Sequence, residues 1–416
     1  MAQVRPFMGY RPTAELAEKV AALPYDVMNS EEAAEMVKGN PYSFLHVDKA
    51  EIDLEKGIDL YDERVYQKAK ENLDKMIEDK VYIQDKKPVF YIYRLTMNGK
   101  SQTGLTACTS IDEYLENKIK KHELTREDKE QDRIKHVDTC NANTGPIFLT
   151  YKAKKSIDDI VNKWVGEHTP VYDFTADDGI GHTVWVVDDD DTKKNISEEF
   201  KGVDALYIAD GHHRNASAVK VGLKRRKEDP NYDKNAEFNF YLSVIFPDEQ
   251  LYIMDYNRVV KDLNGMSENE FKDKVSEKFD IEEYKGDGCF KPSEKHTYGM
   301  YLGKKWYKLT AKSEFINEDD VVEALDVSIL QRELLSPVLG IQDPRTDKRI
   351  DFVGGIRGLE ELVRRVDEGD MEIAFSMYPT SMAQLMDIAD AGKIMPPKST
   401  WFEPKLRSGI FIHKLS

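Results

Sequence analysis

Short apolar segments of strand length, separated by charged segments with helical spacing, recur along the chain and restrict the folds that it can adopt. Runs such as GPIFLTY, HTVWVV and ALYIAD are typical of β-strands. The segment PVFYIYRLTMNGKSQTGLTACTSI predicts two strands joined by an Asn98-Gly99 hairpin turn. EFNFYLSVIF and LYIMDYNRVV predict another antiparallel pair. The mixture favours an α+β fold built from short antiparallel units over a long series of βαβ units.

Two helix starts are marked by residues with the spacing of a capping box. Asn29 precedes a charged helical segment and has Glu32 three residues later. Thr125 and Asp128 have the same spacing in HELTREDKEQDRIKHV. The first pair predicts a helix after residue 29, and the second predicts one after residue 125.

The length of 416 residues is typical of two or three domains. Neither an internal repeat nor a low-complexity linker marks a boundary. The element pattern predicts an N-terminal α/β segment over residues 1–105, a core over 106–260 and a C-terminal α/β domain over 261–416.

The charge of the chain, with 60 Lys and Arg against 77 Asp and Glu, gives a net charge of −17. Such a surface repels phosphate backbones, so we expect no nucleic-acid partner. Apolar runs of signal-peptide or membrane-spanning length are missing from the sequence, so we expect no membrane association. The three cysteines are far apart and odd in number, which favours a reducing cytoplasm over a disulfide framework.

A cluster of polar residues in IADGHHRNAS, where an apolar segment meets a helical one, is the strongest candidate site. The cluster comprises Asp210, Gly211, His212, His213 and Arg214. The glycine allows a tight turn, and a helix expected to begin near Asn215 offers free N–H groups to an anion. The arginine is a bidentate donor suited to phosphate, the histidines can donate hydrogen bonds or bind a metal, and the aspartate can hold a cation. A surface turn with a chance histidine pair is the structural alternative.

Two further segments carry residue types suited to phosphate chemistry. His122 and Glu123 precede the predicted cap at Thr125, and a glutamate on a loop near a basic pocket can act as a general base. An ordinary charged loop is the alternative. The C-terminal MPPKSTWFEPK holds an ammonium group followed by two hydroxyls, as in a phosphate loop, but lacks the glycines of a Walker motif. Its candidate phosphate ligands are Lys398, Ser399, Thr400 and Lys405.

Four ordered motifs resemble a family of conserved proteins known as domain of unknown function 1015. They are RPFMGYRP with LPYDVMNSEEA, HELT followed by DR and GPIFLTY, ADGHHRNASA, and MPPKSTWFEPKLRSG. The match extends over nearly the whole chain, and four motifs in order are far more specific than any one of them.

The ADGHHRNASA segment also resembles the Gly-x-x-Arg signature of the ParB/sulfiredoxin-like superfamily, which implies a core of short mixed strands and helices. Sulfiredoxins carry a cysteine where this chain has His212, and ParB proteins carry a basic surface and a DNA-binding helix-turn-helix. The free L-serine kinases of the superfamily match better, since they combine an Asp-Gly-His-His-Arg sequence with an upstream catalytic glutamate. The resemblance implies that Glu123 takes that role, with His122 and Asp210 beside it as catalytic residues.

The implied reaction transfers a phosphoryl group to the hydroxyl of free L-serine and yields O-phospho-L-serine. The donor is ATP, ADP or pyrophosphate, and the expected cofactor is Mg²⁺ held near Asp210. Arg133 and Arg258 are the candidate ligands of the substrate. A metal-dependent phosphohydrolase acting on phosphoserine or a related phosphomonoester, and a non-catalytic nucleotide-binding module, remain as alternatives. The expected partners are these small molecules, and the chain is expected to be a monomer or a homodimer.

Overall fold

The structure is a computed structural model that describes residues 2–416. Its strands are β1 (Val4–Arg5), β2 (Tyr10–Pro12), β3 (Tyr82–Gln84), β4 (Phe90–Met97), β5 (Lys100–Ser110), β6 (Ile119–Lys120), β7 (Ala142–Asn143), β8 (Ile147–Tyr151), β9 (Tyr172–Thr175), β10 (Gly181–Val187), β11 (Leu206–Asp210), β12 (Phe240–Pro247), β13 (Ile253–Met254), β14 (Tyr256–Val260), β15 (Phe279–Glu283), β16 (Thr297–Leu302), β17 (Lys305–Ala311), β18 (Ile350–Gly354), β19 (Ile373–Ser376), β20 (Trp401–Phe402) and β21 (His413–Lys414).

The α-helices are α1 (Ala17–Val20), α2 (Ser30–Met36), α3 (Leu45–Asp48), α4 (Glu63–Glu78), α5 (Ile111–Leu115), α6 (Glu127–Cys140), α7 (Lys155–Glu167), α8 (Asp190–Phe200), α9 (His212–Glu228), α10 (Glu268–Ser276), α11 (Asp326–Leu330), α12 (Glu360–Asp367) and α13 (Met382–Asp390). Short 3₁₀ turns lie at Tyr25–Val27, Ala50–Asp53, Glu237–Asn239, Asp248–Gln250, Ser313–Phe315 and Gly355–Arg357, and a π-helical turn at Gln331–Leu335 continues α11. None of the helices within residues 2–416 combines the length and the apolar character of a membrane span. The helices and the largely antiparallel strands together confirm the predicted α+β class.

The chain forms two compact units, one of residues 1–251 with 404–416 and the other of residues 252–403. The first unit contains a mixed sheet in the order β6-β11-β8-β12-β5-β4-β10-β9, with β1 added beside β5. The pairs β6 with β11 and β8 with β12 are parallel, and the other pairs are antiparallel. The predicted division into three segments and the ParB/sulfiredoxin-like assignment of the core stay predictions.

The core of the first unit lies on its sheet. Every residue of β12 is buried, which explains why this central strand reads as a continuous apolar run and not as an alternating one. Apolar residues of the strands pack with those of α7, α8 and α9 in one cluster. A second cluster joins α3 and α4 to Val20, Ala33 and Tyr82.

The second unit contains an antiparallel sheet in the order β15-β17-β16-β19-β14-β18. Its core cluster includes Val259 of β14, Trp306 of β17 and Leu362 of α12. The strand β12 pairs with β5 and β8, whereas β14 pairs with β18 and β19. The predicted antiparallel pairing of the EFNFYLSVIF and LYIMDYNRVV segments is therefore wrong, because each strand belongs to the sheet of a different unit.

The local signals for turns and caps have mixed outcomes. The Asn98-Gly99 turn joins β4 to β5 with both residues at positive φ, as predicted. Asn29 and Glu32 form the predicted capping box of α2. The predicted cap at Thr125 is wrong: α6 begins at Glu127, and the Thr125 hydroxyl donates a hydrogen bond to the side chain of Glu130 at 2.7 Å. A nearby carboxylate in the folded chain takes the hydroxyl that would otherwise cap the helix.

Candidate active site

The candidate site lies at one edge of the first unit's sheet, where two parallel strands end. Leu206 of β11 pairs with Ile119 of β6 in parallel register, so the residues that follow both strands emerge at the same edge. His122 and Glu123 follow β6, and His212 comes soon after β11. The rings of His122 and His212 meet edge to face with 4.5 Å between their centroids. Two motifs that are far apart in sequence are therefore neighbours in this unit.

The helix α9 begins at His212 and not near Asn215 as predicted. Gly211 is its N-cap with φ 88° and ψ 32°, the left-handed region that glycine enters without strain. The first intrahelical bond runs from the Asn215 N–H to the Gly211 carbonyl at 2.9 Å. Because Gly211 completes the turn alone, His212, His213 and Arg214 occupy the first turn, where backbone N–H groups have no intrahelical acceptor.

Burial holds the histidines of the site in their neutral form. It lowers the pKa of His122 to about 4 and the pKa of His212 well below its usual value, with the neighbouring imidazole as the next cause for His212. Burial also lowers the pKa of His213, whose Nε2 accepts a hydrogen bond from the Arg126 N–H at 3.0 Å. The positive potential at this corner therefore comes from Arg214 and the start of the helix, and the histidines offer hydrogen bonds or ligand nitrogens.

Asp210 is held as an anion by its neighbours. Its Oδ2 accepts a hydrogen bond from Lys405 Nζ at 2.9 Å, and its Oδ1 accepts one from the Gly211 N–H at 2.7 Å. Burial alone would raise its pKa, but the charge and hydrogen bond of Lys405, with Arg214 nearby, lower that pKa to about 2. The pair fixes the end of β11 against the C-terminal segment, so the predicted site residues Asp210 and Lys405 do meet.

Arg214 has the side chain at this corner that is best placed to receive an anion. Its Nη1 lies 3.4 Å from the Pro146 carbonyl, and its Nη2 is buried without a hydrogen-bond partner. The Asp26 carboxylate is 4.0 Å away. A small cleft bordered by Pro146, Asp210 and Lys405 opens in front of the guanidinium. A buried donor without a partner is costly, and an anionic ligand would satisfy it.

Tyr25 and Asp26 belong to the same corner, since both lie close to Arg214. Arg133 and Arg214 lie over the Tyr25 ring at 4.0 and 5.2 Å from its centroid. Arg133 is buried and paired with Asp132 at 2.8 Å, and it lines a second small pocket together with Tyr25 and Arg214. The only sequence signal for this arrangement is that PYDV and HELT belong to the same set of ordered motifs.

A group of potential metal ligands lies at the same edge of the sheet. Its members come from two distant motifs, so the sequence alone did not predict the group. Ligand atoms of His122, Glu123 and His212 all lie within 4.8 Å of one another. His122 Nδ1 and His212 Nε2 are buried without partners, and His212 Nδ1 is 3.7 Å from Glu123 Oε2. Two neutral imidazoles and a carboxylate suit a transition metal such as Zn²⁺ better than Mg²⁺, which prefers oxygen ligands. Both oxygens of Asp210 already accept hydrogen bonds, so its predicted role as a Mg²⁺ ligand stays a prediction.

The remaining predicted site residues lie in the second unit. Lys398 has a left-handed φ of 60°, and its carbonyl accepts a hydrogen bond from Arg258 Nη2 at 2.9 Å. The Ser399 hydroxyl donates to the Pro396 carbonyl at 2.6 Å, and the Ser399 carbonyl accepts from the Thr380 hydroxyl at 2.9 Å. These bonds fold residues 396–400 into a fixed turn. The phosphate-binding role predicted for Lys398, Ser399 and Thr400 stays a prediction.

Together the fold and the site define an α+β protein with an anion-receptive strand-to-helix corner. A family model described as "Protein of unknown function (DUF1015)" matches residues 4–328, so the chain belongs to that family, as its motifs predicted. No curated protein matches the sequence.

Several solved structures resemble the chain. A conserved hypothetical protein from Pyrococcus furiosus is 16% identical, with a TM-score of 0.36, over 73% of this chain and 93% of its own. A free serine kinase in complex with AMP is 15% identical, with a TM-score of 0.36, over 73% of this chain and 91% of its own. SbnI from Staphylococcus aureus, with a C-terminal truncation, is 10% identical, with a TM-score of 0.37, over 73% of this chain and 85% of its own. At such identities and TM-scores the likeness does not establish a shared activity.

Proposed function

We propose that the protein is a phosphotransferase that phosphorylates the hydroxyl of a small hydroxylated amino acid, with free L-serine as the leading acceptor. One observation carries the proposal: the Glu123 carboxylate lies 3.7 Å from His212, at the start of the helix that also bears the unpartnered guanidinium nitrogen of Arg214. A carboxylate beside an anion-receptive helix start is the pairing that phosphoryl transfer to an alcohol requires. The choice of serine rests on the motif resemblance.

In the proposed step, Glu123 accepts the proton of the serine hydroxyl as the hydroxyl oxygen attacks phosphorus. The new O–P bond forms while the bond from phosphorus to the bridging oxygen of the donor breaks, and the electron pair of that bond leaves with the shortened donor. The products are O-phosphoserine and ADP, AMP or phosphate, according to the donor. Mg²⁺ bound to the phosphates of the donor would neutralise part of their charge.

The helix start and Arg214 have the task of stabilising the transferred phosphoryl group. Backbone N–H groups of the first turn are fixed by the fold, so they need no reorganisation when charge develops on the phosphoryl oxygens. Asp210 has an indirect role, since its bond to Lys405 fixes the end of β11 from which the helix starts. Because burial lowers the pKa of His122, this side chain is uncharged at neutral pH and places no positive charge beside Glu123.

Phosphorus NMR of the purified protein with L-serine and Mg²⁺ tests the proposal, with ATP, ADP and pyrophosphate supplied separately. A phosphoserine resonance with one donor supports the proposal and identifies that donor. The variant Glu123→Gln should lose transfer while keeping its fold, because the amide cannot take the proton. Glu127→Gln is the matched control, since Glu127 is an exposed glutamate in the first turn of α6. Full transfer by Glu123→Gln would remove the proposed base.

A second candidate function, a metal-dependent phosphohydrolase, is favoured by the group of His122, Glu123 and His212. These three side chains would hold the metal ion, which would supply an activated water for the hydrolysis of a phosphomonoester. A hydrolase would release phosphate from O-phosphoserine without any donor, and a chelator would stop the release. The same NMR measurement with O-phosphoserine alone, before and after addition of Zn²⁺, therefore separates the two candidates. Transfer from a donor without phosphate release supports the kinase and excludes the hydrolase.

A further inference from the structure

The second unit contains a cavity of about 410 Å³ that is lined by both apolar and polar residues. This volume lies within the usual range of pockets for small organic ligands. Its apolar lining includes side chains from three elements, namely Val327, Leu335 and Ile350. Its polar lining includes Arg258 of β14 and Gln331 at the start of the π-helical turn.

Arg258 is a buried cation without an anionic partner. Its side chain is only 4% exposed. Its Nη1 donates to the Tyr256 carbonyl and its Nη2 to the Lys398 carbonyl at 2.9 Å, while its guanidinium carbon lies 5.5 Å from the centre of the Phe352 ring. Within residues 2–416, the ion pairs of the structure include none to Arg258. Burial lowers its pKa to about 10, so the group stays protonated at neutral pH.

A buried, protonated guanidinium of this kind is unusual, because a buried charge is normally paired with a charge of opposite sign. Neutral carbonyls and the face of Phe352 stabilise part of the charge. A guanidinium has five N–H donors, of which two are bonded here within the described chain. The cavity therefore offers unused donors and an uncompensated positive charge to a ligand.

The charge around the cavity limits the ligand to a monoanion. The other arginine of the lining, Arg345, is exposed and forms a 2.9 Å ion pair with Asp343. Arg258 is therefore the only cation of this lining without a carboxylate partner. One unpaired guanidinium matches one carboxylate, whereas a phosphate dianion would leave an unbalanced negative charge.

We propose that this cavity binds a small organic carboxylate, whose carboxylate pairs with Arg258 and whose apolar body contacts Val327, Leu335 and Ile350. The π-helical turn at Gln331–Leu335 fits such a role. Gln331 and Leu335, its first and last residues, both line the cavity, and π-helical turns occur frequently at functional sites. The proposal concerns residues 252–403 alone and does not depend on the phosphotransferase activity of the first unit.

Ligand-observed proton NMR of the full chain tests the proposal, with pairs of probes that differ only in charge. The probes are 4-methylpentanoate with 4-methylpentanamide, and benzoate with benzamide. Each carboxylate should bind at least about tenfold more tightly than its amide, because a charge-assisted bond to a buried guanidinium contributes more than a neutral one. Equal binding of each pair, or binding of neither member, would overturn the proposal. This comparison uses the unaltered protein, so it does not depend on the folding of any variant.

Two variants and one further probe complete the experiment. Arg258→Met should abolish the preference for the carboxylate, and Arg345→Met, which removes the paired arginine of the same lining, should preserve it. A preference that survives in a folded Arg258→Met protein would contradict the assignment of Arg258. Phenyl phosphate is the third probe: tighter binding of phenyl phosphate than of benzoate would show that the site prefers phosphate, and the carboxylate assignment would then be wrong.

Discussion

The buried histidine His182 provides a test of how the C-terminal segment is attached to the first unit's sheet. It lies on β10 with no exposed surface. Its Nε2 accepts a hydrogen bond from Arg407 Nε at 3.2 Å, so the ring proton lies on Nδ1, which donates to the Tyr93 hydroxyl at 2.8 Å. A second proton on the ring would face the Arg407 guanidinium. Burial first, and this guanidinium second, lower the pKa of His182 to about 3.

The size of the effect follows from the two pKa values of His182. In the unfolded chain the ring titrates near its usual value of about 6.5. Because the folded pKa is lower, only the unfolded state gains a proton between the two values, and the stabilising contribution is complete above about pH 6.5 and declines as the pH falls. The decline approaches about 1.4 kcal/mol per pH unit only below about pH 6, because the unfolded histidine is half protonated at about pH 6.5, so the total between about pH 6.5 and about pH 4.5 is about 2 kcal/mol.

The assay compares wild type with His182→Gln by urea unfolding across this pH range, with a probe in the first unit. Glutamine keeps an acceptor for Arg407 and a donor for Tyr93 but does not titrate, so the free energy of unfolding of wild type should fall by about 2 kcal/mol more than that of the variant. His168→Gln is the matched control, because it makes the same substitution at an exposed position of the same unit. Parallel pH profiles for wild type and His182→Gln would refute the reasoning.

Three further predictions concern the candidate site and the helix signals. Gly211→Ala should destabilise the protein by about 1–2 kcal/mol in urea unfolding, because a φ of 88° strains alanine even though the nearest atoms, at 3.9 Å, leave room for a methyl group. Gly166→Ala, in the last turn of α7, is the control and should stabilise the protein by about 0.5 kcal/mol. Effects of equal sign for the two variants would contradict the argument from backbone strain at Gly211. Asn29→Ala should cost about 1 kcal/mol through loss of the α2 cap, and an unchanged urea midpoint would disprove that role. Arg214→Met should weaken pyrophosphate binding by at least about tenfold in calorimetry; unaltered affinity would show that the anion binds elsewhere.

The local elements of this protein are determined largely by its sequence. The Asn98-Gly99 turn and the Asn29 cap each depend on residues within a few positions of one another, so short-range rules predict them. The motif at Asp210–Arg214 is visible for the same reason, since a glycine between an apolar strand and a helix is a local feature. The family was also predictable, because the four motifs and their order can be recognised from the sequence alone.

The tertiary structure decided which of these motifs meet and which charges they retain. The parallel pairing of β6 with β11 brings His122 and Glu123 to His212, and strand pairing between distant segments leaves no signal in a single sequence. Thr125 was predicted to cap a helix but bonds to Glu130, because in the folded chain that carboxylate competes for the hydroxyl. The sequence does not determine the charge of the histidines. They are neutral in the structure, because desolvation, which depends on everything packed around a side chain, lowers the pKa of each.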